Sequence, residues 1–171
     1  MATRYWVGGA GTWNNSSTTN WSSASGGASG ASAPTNADTV IFDANSGTGT
    51  VTVASTAAGL NVTLGKSGIV LTPNANCTPC AATGLFTFTV GTINFNGFTM
   101  NVGSMATSGS GTKTFNFSTA NSILNLTATT TTTIFSVDTN AVTVTGTSDI
   151  RSSAGGTGVT KSLTVGSTAV G

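Results

Sequence analysis

The run LFTFTVGTINFNGFTMNV, residues 85–102, decides the fold class. Phe86, Phe88 and Val90 alternate with Thr; Ile93 and Phe95 follow, then Phe98, Met100 and Val102. An apolar residue at every second place is the period of a strand with one buried face. Glycine and asparagine at Gly91, Asn96 and Gly97 punctuate the run, as they do where a strand bends or turns.

The same texture extends outward on both sides. Upstream lie TVTV (50–53), LNVTL (60–64) and GIVLT (68–72). Downstream lie KTFNF (113–117), ILNL (123–126), IFSV (134–137), AVTVTG (141–146) and SLTV (162–165). Starts recur roughly every 8–12 residues, the spacing of an all-β sandwich, barrel or solenoid. No segment carries a helical stripe, and TATTTTT (127–133) makes a poor helix because consecutive β-branched residues lose rotamer freedom there. The expected fold is all-β: a parallel β-helix or solenoid-like body, with a β-sandwich or jelly roll as the alternative. The phrases INFNGFTMNVGS, KTFNFSTANSILNLTA and AVTVTGTSD repeat in style without a strict period, so no coil length follows from them.

Composition fits such a body. Of 171 residues 36 are Thr, which suits strands and faces water without charge. Hydrophobic residues make up 37% and mean hydropathy is +0.20, so a core can form. Charge is nearly missing. There are five Lys plus Arg, four Asp plus Glu and no His, giving a net charge of +1. Soluble domains carry about a quarter charged residues. General acid–base catalysis draws on the residue types that are scarce here, so the expectation is no enzyme, no cofactor and no metal. No basic stripe points to nucleic acid, and no apolar run approaches the roughly 18 residues of a membrane span. MATRYWVGG lacks the apolar stretch of a secretion signal, so the chain as written is expected to be made in a cytoplasm.

Residues 1–48 hold all three Trp (Trp6, Trp13, Trp21) and the one Tyr, Tyr5, followed by the flexible tract SSASGGASGASAP (22–34) and the strand-like DTVIFDA (38–44). They read as an aromatic-rich N-terminal cap or attachment module. Residues 49–171 read as the β-repeat body, which could continue in a longer chain. Tyr5, Trp6, Trp13 and Trp21 are the candidate attachment or glycan-contact aromatics; packing in the core is the commoner fate of such rings.

Other constellations are weak. Cys77 and Cys80, in CTPC, resemble a thiol redox motif but lack the βαβ setting, and zinc would need two further ligands. A local disulfide or two reduced thiols is the plainer reading. Asp38 and Asp43 stand an odd number of residues apart, so in one strand they face opposite ways, against a paired-carboxylate centre. Asp138 and Asp149 suit turns, with calcium at a corner as a weaker reading. A nucleophilic triad has no His to serve as base. GGAGTW (8–13) lacks the Lys of a phosphate loop.

The opening carries a resemblance. Trp6-Val7-Gly8-Gly9, Gly11, Trp13, Asn20-Trp21-Ser22, Pro34 and Asp38-Thr39-Val40-Ile41-Phe42-Asp43 resemble the start of long Thr- and Gly-rich virion proteins from phages and metagenomes. A related opening occurs in autotransporter-associated β-repeat proteins. The resemblance covers about a third of the chain. It implies a non-enzymatic virion structural protein: a tail fibre, tail tip or capsid decoration of a bacteriophage, assembled in the host cytoplasm. Expected partners are other virion proteins and copies of itself, with a trimer favoured, and a host surface glycan. A bacterial surface adhesin of autotransporter type is the first alternative, and a carbohydrate-binding spike the second.

Overall fold

The computed structural model describes residues 1–129, 133–137, 141–153 and 162–165. Among them are fifteen strands and no helix: β1 (Thr3–Trp6), β2 (Gly11–Trp13), β3 (Trp21–Ser22), β4 (Thr39–Phe42), β5 (Gly49–Val53), β6 (Asn61–Pro73), β7 (Leu85–Asn94), β8 (Thr99–Val102), β9 (Ser104–Thr107), β10 (Lys113–Phe117), β11 (Ile123–Leu126), β12 (Thr133–Val137), β13 (Val142–Gly146), β14 (Ile150–Ser152) and β15 (Ser162–Val165). The all-β class expected from the alternation is the class observed.

Apart from the antiparallel β1–β3 pair, the strand pairs are parallel, and they form three series. The first runs β1, β4, the front half of β6, the front half of β7, β9, β12, β15. The second runs β2, β5, the rear halves of β6 and β7, β10, β13. The third, β8, β11 and β14, is a separate sheet, extended by a bridge from Cys77 to Met100. Neither sheet closes on itself.

Two of the short runs merge. LNVTL and GIVLT are the two halves of β6, and LFTFTV and TIN are the two halves of β7. The alternation of burial breaks between them, at Gly65–Gly68 and at Thr89–Val90. There the backbone turns from one series to the next, through Gly68 at φ 81° and Gly91 at φ 126°, a region that only glycine enters without strain.

Register stacks like on like. Val40, Val62, Phe86, Met105 and Phe135 form one buried column, at intervals of 22, 24, 19 and 30 residues. Val51, Leu71, Ile93 and Phe115 form a second, and Cys77, Met100 and Leu124 a third. Phe95 stacks on Phe117 with ring centroids 4.2 Å apart, and Phe115 meets Phe88 and Phe135 edge-on. Burying such side chains contributes about 1.5–3 kcal/mol each, so the columns hold the chain together. The sheet and this one core continue across residues 48 and 49, where the sequence suggested a boundary between cap and body.

Candidate functional site

The N-terminal aromatics form a buried plug. Alternation in β1 sends Trp6 inward and leaves Tyr5 half-buried on the other face, paired with Ser22 and Ile41. Trp6, Trp13 and Trp21 are each 0% exposed. Trp21 meets Trp6 edge-on at 5.0 Å and Trp13 at 5.8 Å, and Phe42 contacts all three rings. Trp6 Nε1 donates to Gly9 O at 3.0 Å, whereas the Nε1 atoms of Trp13 and Trp21 find no acceptor among the described residues. A sugar stacks only on a ring face that reaches the surface, so these three indoles offer none. The structure places them in the core; of the four candidate contact aromatics, only Tyr5 retains exposed surface.

The segment between Trp13 and Asp38 closes over this plug. Val7 N donates to Asn20 O, and Ala31 and Gly30 N–H groups donate to Trp21 O. Asp38 fastens the same end. Its carboxylate accepts from Ala2 N at 2.7 Å, Thr35 N at 3.1 Å and Thr35 Oγ1 at 2.8 Å. Burial pushes this carboxyl up, but the hydrogen bonds from Thr35 and Ala2, with the Arg4 charge, outweigh it and hold it below the ordinary carboxylate range. Asp43 does a turn's work, accepting from Asn45 N at 2.9 Å. The two acids therefore act separately and structurally.

Cys77 and Cys80 are free, buried thiols, so the local disulfide is not formed in this structure. Cys77 heads the column above Met100, which makes it an interior hydrophobe. Burial pushes the Cys77 thiol up to about 12 and the Cys80 thiol to about 11, the latter despite a hydrogen bond from the Gly103 backbone. Thiols so held are protonated and unreactive at neutral pH. Among the described residues no group of three His, Cys, Asp or Glu could hold a metal.

A groove of about 510 Å³ opens where the turn 118–122 lies beside residues 146–151. Phe117 and Ile123 form its apolar part and Asn121, Asp149 and Arg151 its polar part. Arg151 Nε donates to Asp149 Oδ1 at 2.9 Å, and its second arm reaches Oδ2 at 2.5 Å. That pairing sets one positive charge against one negative charge on the groove's polar side. Asp138, the other acid of the expected pair, lies outside the described residues.

Lys113 was not singled out by sequence reasoning, and it is fully buried. Its Nζ donates to Gly109 O at 2.6 Å and Gly111 O at 2.9 Å. The signal was present: in KTFNF, Lys113, Phe115 and Phe117 share one parity, so whatever buries the two Phe also buries the Lys. Comparison with protein-family models, curated proteins and solved structures finds no match.

Proposed function

We propose that this chain is a non-enzymatic structural protein of a bacteriophage virion, a fibre, tail-tip or capsid-attached element whose body is a parallel β-solenoid. The observation that carries the reading is the parallel register: successive strands stack apolar columns while the outer positions are nearly all uncharged. A body built this way is stiff along the stacking direction, because each layer is hydrogen-bonded to the next over several strands. It resists local unfolding through its core rather than through surface ion pairs. The opening motif W-V-G-G-x-G-x-W supports the virion assignment by resemblance. The scarcity of acid–base groups, with the two thiols buried, supports a mechanical role.

Assembly into a homo-oligomer is part of the proposal, since parallel series that do not close leave strand edges to be covered. Mass spectrometry of density-gradient-purified particles is the test. Peptides from this chain should band with the particles at a fixed ratio to the major capsid protein. Their absence from intact particles, with the chain found elsewhere in the lysate, overturns the assignment.

A further inference from the structure

The outward face of the second strand series carries a two-row lattice of threonine. One row is Thr50, Val70, Thr92, Thr114 and Thr143, each paired in register with the next. The second begins Thr12, Thr52, Thr72 and continues, one position beyond the Leu71–Ile93 pair, as Asn94, Asn116, Thr145. Eight of these eleven positions are Thr and none is charged. The equivalent rows of the first series are Thr3, Thr39, Asn61, Leu85, Ser104 and Tyr5, Ile41, Thr63, Thr87, Ala106, Ser136, with four Thr in eleven. The enrichment therefore belongs to one face and not to the composition alone.

The hydroxyls on this face are open. Thr145 Oγ1 donates to Asn116 Oδ1 at 3.0 Å, while the other seven Thr hydroxyls make no hydrogen bond within the chain among the described residues. Some other threonine hydroxyls are tied down, Thr35 to Asp38, Thr89 to Leu64 O and Thr127 to Val102 O. Those of Thr3, Thr39, Thr63 and Thr87 on the first series are open as well among the described residues, so the second series differs in the density of its net. Parallel pairing spaces the rows' members about 4.8 Å apart across strands, and the two rows stand about 6.6 Å apart along each strand. A rectangular net of hydroxyls and methyls on that scale approximates the oxygen repeats of the flat faces of hexagonal ice. The β-branched Thr side chain is stiff, so the net is held before anything binds. Methyl groups order the water over them, hydroxyls can join its hydrogen bonds, and no ion imposes a competing hydration shell. An uncharged face thus complements an uncharged crystal surface.

We infer that this face binds ice, with Thr12, Thr50, Thr52, Thr72, Thr92 and Thr114 as the contact lattice. The inference needs only the strand register and does not rest on the virion assignment. The experiment uses the full chain in a nanolitre osmometer, recording ice-crystal shape and the gap between melting and growth. Wild type should facet the crystals and hold growth below the melting point. Thr92→Lys, which puts a hydrated charge in the middle of the net, should abolish the gap. Thr63→Lys, at a matching outward position on the first series, should leave it intact, and far-UV circular dichroism of both variants checks the fold. Round, freely growing crystals with wild type refute the inference. So does an unchanged gap in Thr92→Lys, or equal loss in a folded Thr63→Lys.

Discussion

Trp6 and Trp21 are equally buried yet differ in one bond, and that difference predicts an order of stability. Replacing either by Phe removes the same part of an indole and leaves a similar void. Trp6→Phe also deletes the 3.0 Å bond to Gly9 O, a net loss of about 1 kcal/mol. Trp21→Phe deletes an N–H that has no acceptor among the described residues, and so removes a desolvation penalty of about 1–3 kcal/mol. Trp6→Phe should therefore be the less stable variant by about 2 kcal/mol or more. With urea slopes of about 1–3 kcal/mol per molar, the midpoints should separate by about 1 M. The assay is equilibrium urea unfolding followed by far-UV circular dichroism, because the tryptophan signal itself changes. Trp21→Ala sets the scale: losing a whole buried ring costs about 3–5 kcal/mol, a large share of a usual total of about 5–15 kcal/mol. A Trp21→Phe midpoint at or below that of Trp6→Phe refutes the reasoning. A Trp21→Ala midpoint equal to wild type refutes the buried plug itself.

Gly84→Ala should unfold the chain or lower its melting temperature severely, since a β-carbon there would overlap Leu60 O, a backbone atom that cannot step aside; calorimetry beside Gly30→Ala, where nothing lies within 4 Å and only φ is strained, separates steric from conformational cost. Cys77 and Cys80, with thiols raised to about 12 and 11, should react with a disulfide reagent at neutral pH only after denaturant is added, and rapid titration in buffer alone would contradict their burial. Asp38 has its folded pKa below the ordinary 3.8, so its stabilising effect is present above 3.8 and fades as pH falls through the lower folded value. Asp38→Asn should melt below wild type at neutral pH and approach it in strong acid; a constant gap across that range would count against the carboxylate.

Fold class was legible because alternation is a local property. LFTFTV and KTFNF display it within six residues: Phe86, Phe88, Phe115 and Phe117 are buried as the alternation requires, while Leu85, out of phase with Phe86 and Phe88, is exposed. Partnership was not legible, because it is set by columns whose members lie 19 to 30 residues apart. Such uneven intervals arise because the turns differ in length, which hides any fixed period. The site was read less well than the fold. Composition located the Trp cluster but could not tell a surface platform from a plug, since burial depends on the segment 14–34 folding back. For the cysteines, the CTPC spacing drew attention to pairing, while the parity linking Cys77 to Met100 through the bridge was invisible without the register. Lys113 was the reverse case, a parity signal present in one short run.

The turn after β6 has a consequence for how such a chain can vary. Residues 78–84 separate the Cys77–Met100 bridge from β7, and Ala82 and Thr83 are exposed. Ring-closure entropy grows slowly with length, by about 0.6 kcal/mol for each doubling. A foreign peptide grafted between Ala82 and Thr83 would lengthen one layer's perimeter and leave Phe86 beneath Val62. Diversity in this architecture can accumulate at its corners, as display rather than as repair.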